Sequence, residues 1–255
     1  MTTGGYLGRS LQRFHHPSQK SPYEAMTTNC NCYLSFTRLI ALAVMVLAPI
    51  CCRGQTTSRN STVVIADSVA GFSSEQGKNG WYFGYWDRSA DDDSKYSQSS
   101  DFKLLKNFGT DARNGIREHK EFTTGDLWYL QDGRFYTSIW AKGGHANSPS
   151  QLGDYAAAEQ WAVRRWISDA SGSVTISGHT GKVMPWGAKW GGECKAIIIV
   201  DGEAVFSSVM DEHGLDYAVA VKIREKSVVD FLIAPNPSIG VVTFTATIRK
   251  RPADP

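Results

Sequence analysis

The chain has 255 residues, of which 42% are hydrophobic, 20% charged and 11% aromatic. This composition fits an ordinary globular chain and excludes a collagen, a disordered acidic tail and a polytopic membrane protein. The formal net charge is +2, and residues 1–54 hold five basic groups and one acidic group, which leaves 22 basic and 24 acidic residues in 55–255. That balance gives no clustered positive charge of the kind that nucleic acids bind.

An uncharged, largely apolar stretch occupies residues 39–52 and is flanked by arginines. A membrane-spanning helix needs about 20 apolar residues, so this stretch is short for an anchor and has the length of a signal-peptide core. We therefore expect a leader over residues 1–54, with Met26 as the more usual start, and no stable membrane span after processing. The rest of the chain is expected to be secreted or periplasmic. Lipidation at Cys51 or Cys52 and an uncleaved leader are the alternatives.

The distribution of cysteines agrees with this boundary. Of five cysteines, only Cys194 lies beyond residue 54. The body of the protein therefore cannot form an internal disulfide or a cysteine-based metal site. We expect Cys194 to be a small, partly buried apolar side chain rather than a nucleophile.

After a predicted polar linker at 55–61, residues 62–249 are predicted to form one β-sandwich domain, followed by a tail at 250–255. Apolar and β-branched runs recur about every ten residues and are separated by Gly, Asn, Asp and Ser. The predicted strands are 62–66, 81–86, 134–140, 161–167, 173–177, 196–200, 203–206, 217–223, 228–233 and 241–248. This spacing favours an all-β, antiparallel two-sheet sandwich of the jelly-roll type over a βαβ arrangement.

Local patterns add detail to these strands. Asp201 and Gly202 stand between two apolar runs and predict a two-residue hairpin turn. A short helix is predicted only at 154–160, and long surface loops are predicted over 87–127. The alternation in 241–248 predicts one buried face, made by Val242, Phe244, Ala246 and Ile248.

The eight tryptophans all lie between Trp81 and Trp190. Aromatic planes can stack on the C–H faces of sugar rings at low entropic cost, but they also fill sandwich cores. We expect three of them, Trp81, Trp161 and Trp166, to belong to the core. Three others stand in Gly- and Pro-containing loop contexts and are the predicted ligand contacts: Trp128, Trp186 and Trp190.

Arg164 and Arg165 interrupt an otherwise apolar strand. Adjacent strand residues face opposite ways, so one of the two must point into the interior or a covered groove. A buried guanidinium needs a carboxylate or several carbonyls as partners. Pairing with a loop aspartate and recognition of a polar ligand are both open, and we keep both arginines as candidate binding residues.

Signals for metal-dependent or catalytic chemistry are weak. The acidic run at 91–93 leaves a calcium site open, although no glycine stands at EF-hand spacing. The histidines of the domain are scattered without zinc-binding spacing. There is no nucleophile elbow, P-loop or dinucleotide fingerprint. Because the carboxylates of glycosidases are spread through the chain, glycan cleavage stays open as an alternative.

Three groups of residues together resemble a known class of protein. They are the run from Gln76 to Asp87, the run from Trp161 to Gly178, and the later pair 197–206 and 228–233. The series resembles an uncharacterised class of exported bacterial β-sandwich modules, similar to galactose-binding-like and carbohydrate-binding jelly rolls. The resemblance covers about residues 62–249. In this class an acidic turn usually precedes the last strand, whereas residues 234–240 here contain no acid.

The resemblance implies an exported, non-catalytic module that binds carbohydrate or a cell-surface polymer through loop aromatics. Many members of the class end in a sorting helix, and the polar end of this chain predicts a released or periplasmic protein instead. Two alternatives belong to other classes. One is a secreted glycan-active hydrolase or lyase with dispersed carboxylates, and the other is a structural component of an envelope or matrix.

Overall fold

A computed structural model describes residues 62–109, 126–130, 137–149, 158–183, 193–237 and 240–250. The predicted leader and linker lie outside them, as does the predicted tail apart from Lys250. There is no helical segment in the described chain with the length and hydrophobicity of a bilayer span.

The described chain is all-β, as predicted. Two 3-10 turns, at Lys78–Gly80 and Arg88–Ala90, accompany the strands. The fifteen strands are β1 Val63–Asp67, β2 Trp81–Asp87, β3 Lys103–Leu104, β4 Asn107–Gly109, β5 Leu127–Tyr129, β6 Ser138–Trp140, β7 Gly143–His145, β8 Gln160–Ile167, β9 Gly172–Lys182, β10 Glu193–Val200, β11 Glu203–Met210, β12 Leu215–Ile223, β13 Val228–Asn236, β14 Val242–Phe244 and β15 Thr247–Lys250.

These strands form two antiparallel sheets, which confirms the predicted sandwich. The first sheet has nine strands, in the order β1-β15-β9-β14-β7-β6-β5-β4, with β12 also paired to β9. The second has six strands, in the order β11-β10-β13-β8-β2-β3. The long strand β9 organises the first sheet, because β14 and β15 pair along one of its edges and β12 pairs along the other.

The predicted strand 241–248 keeps its predicted faces but is divided in two. The apolar residues Val242, Phe244, Ala246 and Ile248 are all buried, which confirms the predicted inner face. The division between β14 and β15 arises because Ser68, just after β1, binds the chain at Ala246. The Ala246 N–H donates to Ser68 Oγ, and the Ser68 N–H donates to the Ala246 carbonyl.

Strand β9 is longer than predicted, because Gly178 does not end it. A Cβ at Gly178 would lie 1.9 Å from the Thr245 carbonyl oxygen, so only glycine lets the neighbouring chain approach this closely. The predicted hairpin turn is confirmed between β10 and β11. Asp201 and Gly202 both have positive φ, at 48° and 90°, as a type I′ turn requires.

The apolar side chains form two main layers. The larger core lies between the sheets and includes Trp81, Phe83 and Trp166, the first and last of which were predicted core residues. A smaller cluster forms on the outer face of the second sheet around Trp86, Val163 and Leu232, with Tyr96, Phe102 and Trp161 packed against it. Part of the predicted surface loop 87–127 therefore covers a sheet and is not simply solvated.

Candidate functional site

Of the three tryptophans predicted to contact ligand, Trp128 is a buried residue of the main core. It is 5% exposed, and its indole N–H donates to the Ser73 carbonyl at 2.8 Å. The ring stacks on Phe83 with an interplanar angle of 13°. This packing favours a structural role, and ligand contact by Trp128 stays a prediction. Trp186 and Trp190 lie outside the described residues, so their contact with ligand also stays a prediction.

Arg164 points from β8 into the space between the sheets and is 5% exposed. Its Nη2 donates to the carbonyls of Trp140 at 2.7 Å and Ala141 at 3.1 Å, and its Nη1 donates to the carbonyl of Phe244 at 3.3 Å. Burial lowers its pKa to about 10, which leaves the guanidinium charged at neutral pH. Arg164 therefore acts as a clamp that joins β8 of one sheet to β6, the following turn and β14 of the other.

Arg165 points to the opposite face of β8 and forms a two-pronged ion pair with Asp230. Its Nε donates to Asp230 Oδ1 and its Nη2 to Asp230 Oδ2, each at 2.8 Å. The partner lies on the neighbouring strand β13, so the sequence-based expectation of a loop aspartate is wrong. Burial lowers the pKa of Arg165, but the hydrogen bonds and charge of Asp230 outweigh it and raise the pKa overall.

The loop before β3 closes over this ion pair. Tyr96 donates its hydroxyl to Asp230 at 2.8 Å, and Gln98 donates its side-chain amide to the same carboxylate at 3.0 Å. The guanidinium carbon of Arg165 lies 3.9 Å from the centre of the Phe102 ring. Both arginines are thus engaged by the protein itself, and ligand recognition by either of them stays a prediction.

The acidic run 91–93 and Cys194 have structural roles. Asp91 accepts a hydrogen bond from the Trp86 indole at 3.0 Å, and Asp93 accepts one from the Lys95 N–H at 2.8 Å. No group of three or more His, Cys, Asp or Glu side chains within the described ranges could hold a metal ion.

Cys194 is fully buried, and burial raises the pKa of its thiol to about 12, so the thiolate needed for nucleophilic attack does not form at neutral pH.

A cleft of about 450 Å³ lies at one end of the sandwich, beside β1, the start of β2 and the end of β8. Its walls combine apolar and polar side chains. The lining includes Val64, Ile65, Asp67, Asn79, Ile167 and Asp169. The volume is within the range of about 300–1,000 Å³ that is typical of small-molecule sites.

Glycines and left-handed backbone shape this cleft. Gly71 crosses the Trp81 indole so closely that an added Cβ would lie 2.3 Å from the ring. Asn79 and Gly80 have φ of 52° and 78°, and a Cβ at Gly80 would lie 2.6 Å from the Ile167 carbonyl oxygen. These positions let the turn at Lys78–Gly80 lie close to the end of β8 and form one wall of the cleft.

The indoles of Trp81 and Trp166 line the bottom of the cleft but expose only 1% and 2% of their surface. A ligand in the cleft therefore cannot stack broadly on either ring. The apolar contact available to it comes from Val64, Ile65 and Ile167, which are half-buried or exposed. The cleft is thus an amphipathic site with an aliphatic wall rather than an aromatic platform.

Asp67 is fixed at the edge of the cleft. Its Oδ1 accepts the N–H groups of Val69 and Ala70, both at 2.9 Å, and its Oδ2 accepts the Thr247 hydroxyl at 2.8 Å. Partial burial raises the pKa of Asp67, but these hydrogen bonds, helped by the charge of Arg164, outweigh it and lower the pKa overall. Because each carboxylate oxygen can accept about two hydrogen bonds, one acceptor position is left at Oδ2.

The lowered pKa of Asp67 makes part of the stability depend on pH. The ionised carboxylate gains its partners only in the folded chain, so its contribution is complete above its ordinary pKa of 3.8 and is lost as the pH falls through the lower folded-state value. We expect the wild type to exceed Asp67→Asn in unfolding free energy by a constant amount between about pH 7 and pH 5, and by less below about pH 4. Chemical denaturation across this range measures the difference. A difference that does not shrink in acid would contradict the assignment.

Sequence reasoning missed this cleft, because each of its parts has an ordinary local explanation. Asp67 ends a strand, Asn79 precedes a glycine in a turn, and Asp169 lies in a Ser-Asp-Ala-Ser-Gly turn. About one hundred residues separate the first part from the last. The nearest signal was the β-branched run 62–66, whose exposed Val63 and Val64 mark an edge strand that pairs only with β15 among the described strands.

Comparisons with known proteins give remote matches. No protein-family model matches the chain, and no curated protein does. A family 35 carbohydrate-binding module from Clostridium thermocellum is 10% identical, with a TM-score of 0.28, over 48% of this chain and 85% of that one. An exo-β-1,3-galactanase from Phanerochaete chrysosporium is 7% identical, with a TM-score of 0.26, over 42% of this chain and 26% of that one.

A cycloalternan-forming enzyme from Listeria monocytogenes is also 7% identical, with a TM-score of 0.24, over 42% of this chain and 10% of that one. This chain therefore spans about a quarter of the galactanase and a tenth of the cycloalternan-forming enzyme. Similarity this remote does not indicate a shared function.

Proposed function

We propose that this protein is an exported, non-catalytic binding module for carbohydrate or a cell-surface polymer, and that the cleft beside β1 is its binding site. The observation that carries the proposal is the composition of the cleft walls. Val64, Ile65 and Ile167 provide an aliphatic surface, and Asp67, Asp169 and Asn79 provide hydrogen-bonding groups. A sugar ring presents the same two kinds of surface, a C–H face and a rim of hydroxyl groups.

The state of Asp67 supports recognition of hydroxyl groups. Its pKa is lowered, so it is ionised at neutral pH, and it keeps one acceptor position at Oδ2. Its position is fixed by three hydrogen bonds from the protein, which lowers the entropic cost of ordering it around a ligand. Trp186 and Trp190 remain predicted additional contacts.

Glycan hydrolysis is the second candidate, because two carboxylates line one cleft. Glycosidases use such a pair, with one member protonated near neutral pH to act as the general acid. Asp67 cannot be that acid, because its pKa is lowered. Asp169 is exposed to solvent, whereas a catalytic acid is usually held protonated by an apolar enclosure. Binding without cleavage is therefore the better-supported function.

A substitution that fills the cleft tests the proposal. Ala70 is exposed and lines the cleft, so Ala70→Trp should occupy the space without disturbing the core. We expect the wild type to bind some members of a broad glycan panel, and Ala70→Trp to bind them at least about tenfold more weakly because the site is blocked. Isothermal titration calorimetry with the glycans that bind the wild type measures the change in affinity.

Ala90→Trp is the matched control. Ala90 is also exposed, but it lies at the other end of β2, about 20 Å from Trp81 by strand length. This variant should bind like the wild type. No binding across the panel, or equal binding by Ala70→Trp, would reject the cleft as a carbohydrate site. New reducing ends on incubation with bound glycans would favour hydrolysis instead.

A further inference from the structure

The charges of the cleft indicate which sugars it can accept. Of the described residues that line it, the charged ones are Asp67 and Asp169, and both are acidic. A ligand carboxylate entering the cleft would meet two like charges and lose its hydration without gaining a cationic partner. The lining therefore disfavours uronic acids and other anionic sugars.

Three basic residues near the cleft do not supply a cation to its lining. Arg164 is close enough to influence Asp67, but its guanidinium faces the core and donates to three backbone carbonyls. Arg249 pairs with Val64 across β1 and β15, but its Nη1 donates to the Ser177 hydroxyl on β9. Lys78 is exposed and does not line the cleft.

The two carboxylates are suited to a ligand that carries a cation. Asp169 is an exposed aspartate that lines the same cleft as Asp67. Asp67 has one acceptor position left at Oδ2. An ammonium group has three donors and one positive charge, so it suits an acidic lining, whereas a hydroxyl supplies one donor and no charge.

We propose that the cleft selects sugars that carry a free amine, of the glucosamine type, over their N-acetylated and acidic counterparts. This inference rests on the proposed carbohydrate-binding function. The amine would bind at the acidic part of the lining, which Asp67 and Asp169 form, and the C–H face of the ring would lie on Val64, Ile65 and Ile167. N-acetylation removes the positive charge and adds an acetyl group, so the two sugars separate charge recognition from general binding to the cleft.

The test compares three probes of equal length: a glucosamine trisaccharide, its N-acetylated form and a galacturonate trisaccharide. Calorimetry is done at about pH 6, where an amine of this kind is protonated. At about 10 mM salt the glucosamine trisaccharide should bind about fivefold tighter than the N-acetylated one, as an exposed ion pair allows. The preference should disappear at about 1 M salt, and galacturonate should not bind measurably.

Two substitutions, each of which removes one negative charge, serve as the test and its control. Asp169→Asn should abolish the preference for the free amine while binding of the N-acetylated trisaccharide persists. Asp92→Asn removes an exposed carboxylate at the other end of β2 and should leave the preference intact.

Failure of this inference can be told apart from failure of the proposed function. If all three sugars bind equally, or if the preference survives in Asp169→Asn, the amine selectivity is wrong while the cleft still binds carbohydrate. Tightest binding of galacturonate would overturn the selectivity as well. If none of the trisaccharides and no other glycan binds, the proposed function itself is wrong.

Discussion

Replacing Asp230 with asparagine is expected to lower the free energy of unfolding by about 3–5 kcal/mol, because breaking a buried ion pair leaves an uncompensated charge. Asp230 is fully buried, and it neutralises Arg165, whose side chain is 12% exposed. Asparagine has nearly the same shape but no charge, and its amide N–H₂ group would face a guanidinium that can only donate. Urea denaturation followed by tryptophan fluorescence measures the loss.

The same substitution should loosen the loop that covers the second sheet. Tyr96 and Gln98 both donate to the Asp230 carboxylate, so this group holds two side chains of the loop on β13. Hydrogen exchange in residues 95–102 is therefore expected to rise in Asp230→Asn at denaturant concentrations at which the rest of the chain is still folded.

A double variant separates charge from packing. Arg165→Met with Asp230→Leu removes both charges and fills the space with apolar side chains, and such replacements are often neutral or stabilising. We expect the double variant to be more stable than Asp230→Asn alone. A loss of less than about 1 kcal/mol in Asp230→Asn would show that water or a neighbouring group compensates Arg165, and would refute the assigned role of the pair.

The strands were predictable because their sequence period is a local property. Alternation in 241–248 identified a buried face that the structure reproduces residue by residue, and Asp201-Gly202 identified a turn whose positive φ angles it requires. Local sequence could not predict the partner of each strand. Ser68 divides the last predicted strand from a position almost 180 residues earlier, and no local pattern encodes that contact.

The predicted site residues show the same limit. Alternation at Arg164 and Arg165 indicated that one of them would face the interior, but both are covered, because the loop before β3 folds over the outer face as well. Trp128 was selected for its loop-like neighbours, yet it lies in the short strand β5, where Phe83 and Phe108 enclose it. Polar and glycine residues next to a tryptophan in the sequence do not show which side chains pack against it in the folded protein.

Replacing Arg164 is the second change with a large expected effect. The clamp satisfies carbonyls of Trp140, Ala141 and Phe244 inside the sandwich, and each buried carbonyl left without a donor costs about 1–3 kcal/mol. Burying the guanidinium also has an unfavourable contribution, as its lowered pKa indicates, and removing it offsets part of the loss. We expect Arg164→Met to lose about 3 kcal/mol in the free energy of unfolding.

Arg164→Lys tests whether geometry or charge is responsible. An ammonium keeps the positive charge but lacks the planar fork that reaches two strands at once, so lysine should recover at most a small part of the loss. Arg249→Met is the matched control, because Arg249 is only partly buried and its Nη1 donates to the Ser177 hydroxyl rather than to buried carbonyls, so it should lose less than about 1 kcal/mol. If Arg164→Met were as stable as Arg249→Met, desolvation of the charge would equal the value of its hydrogen bonds. The two sheets would then be held together by apolar packing alone at this point.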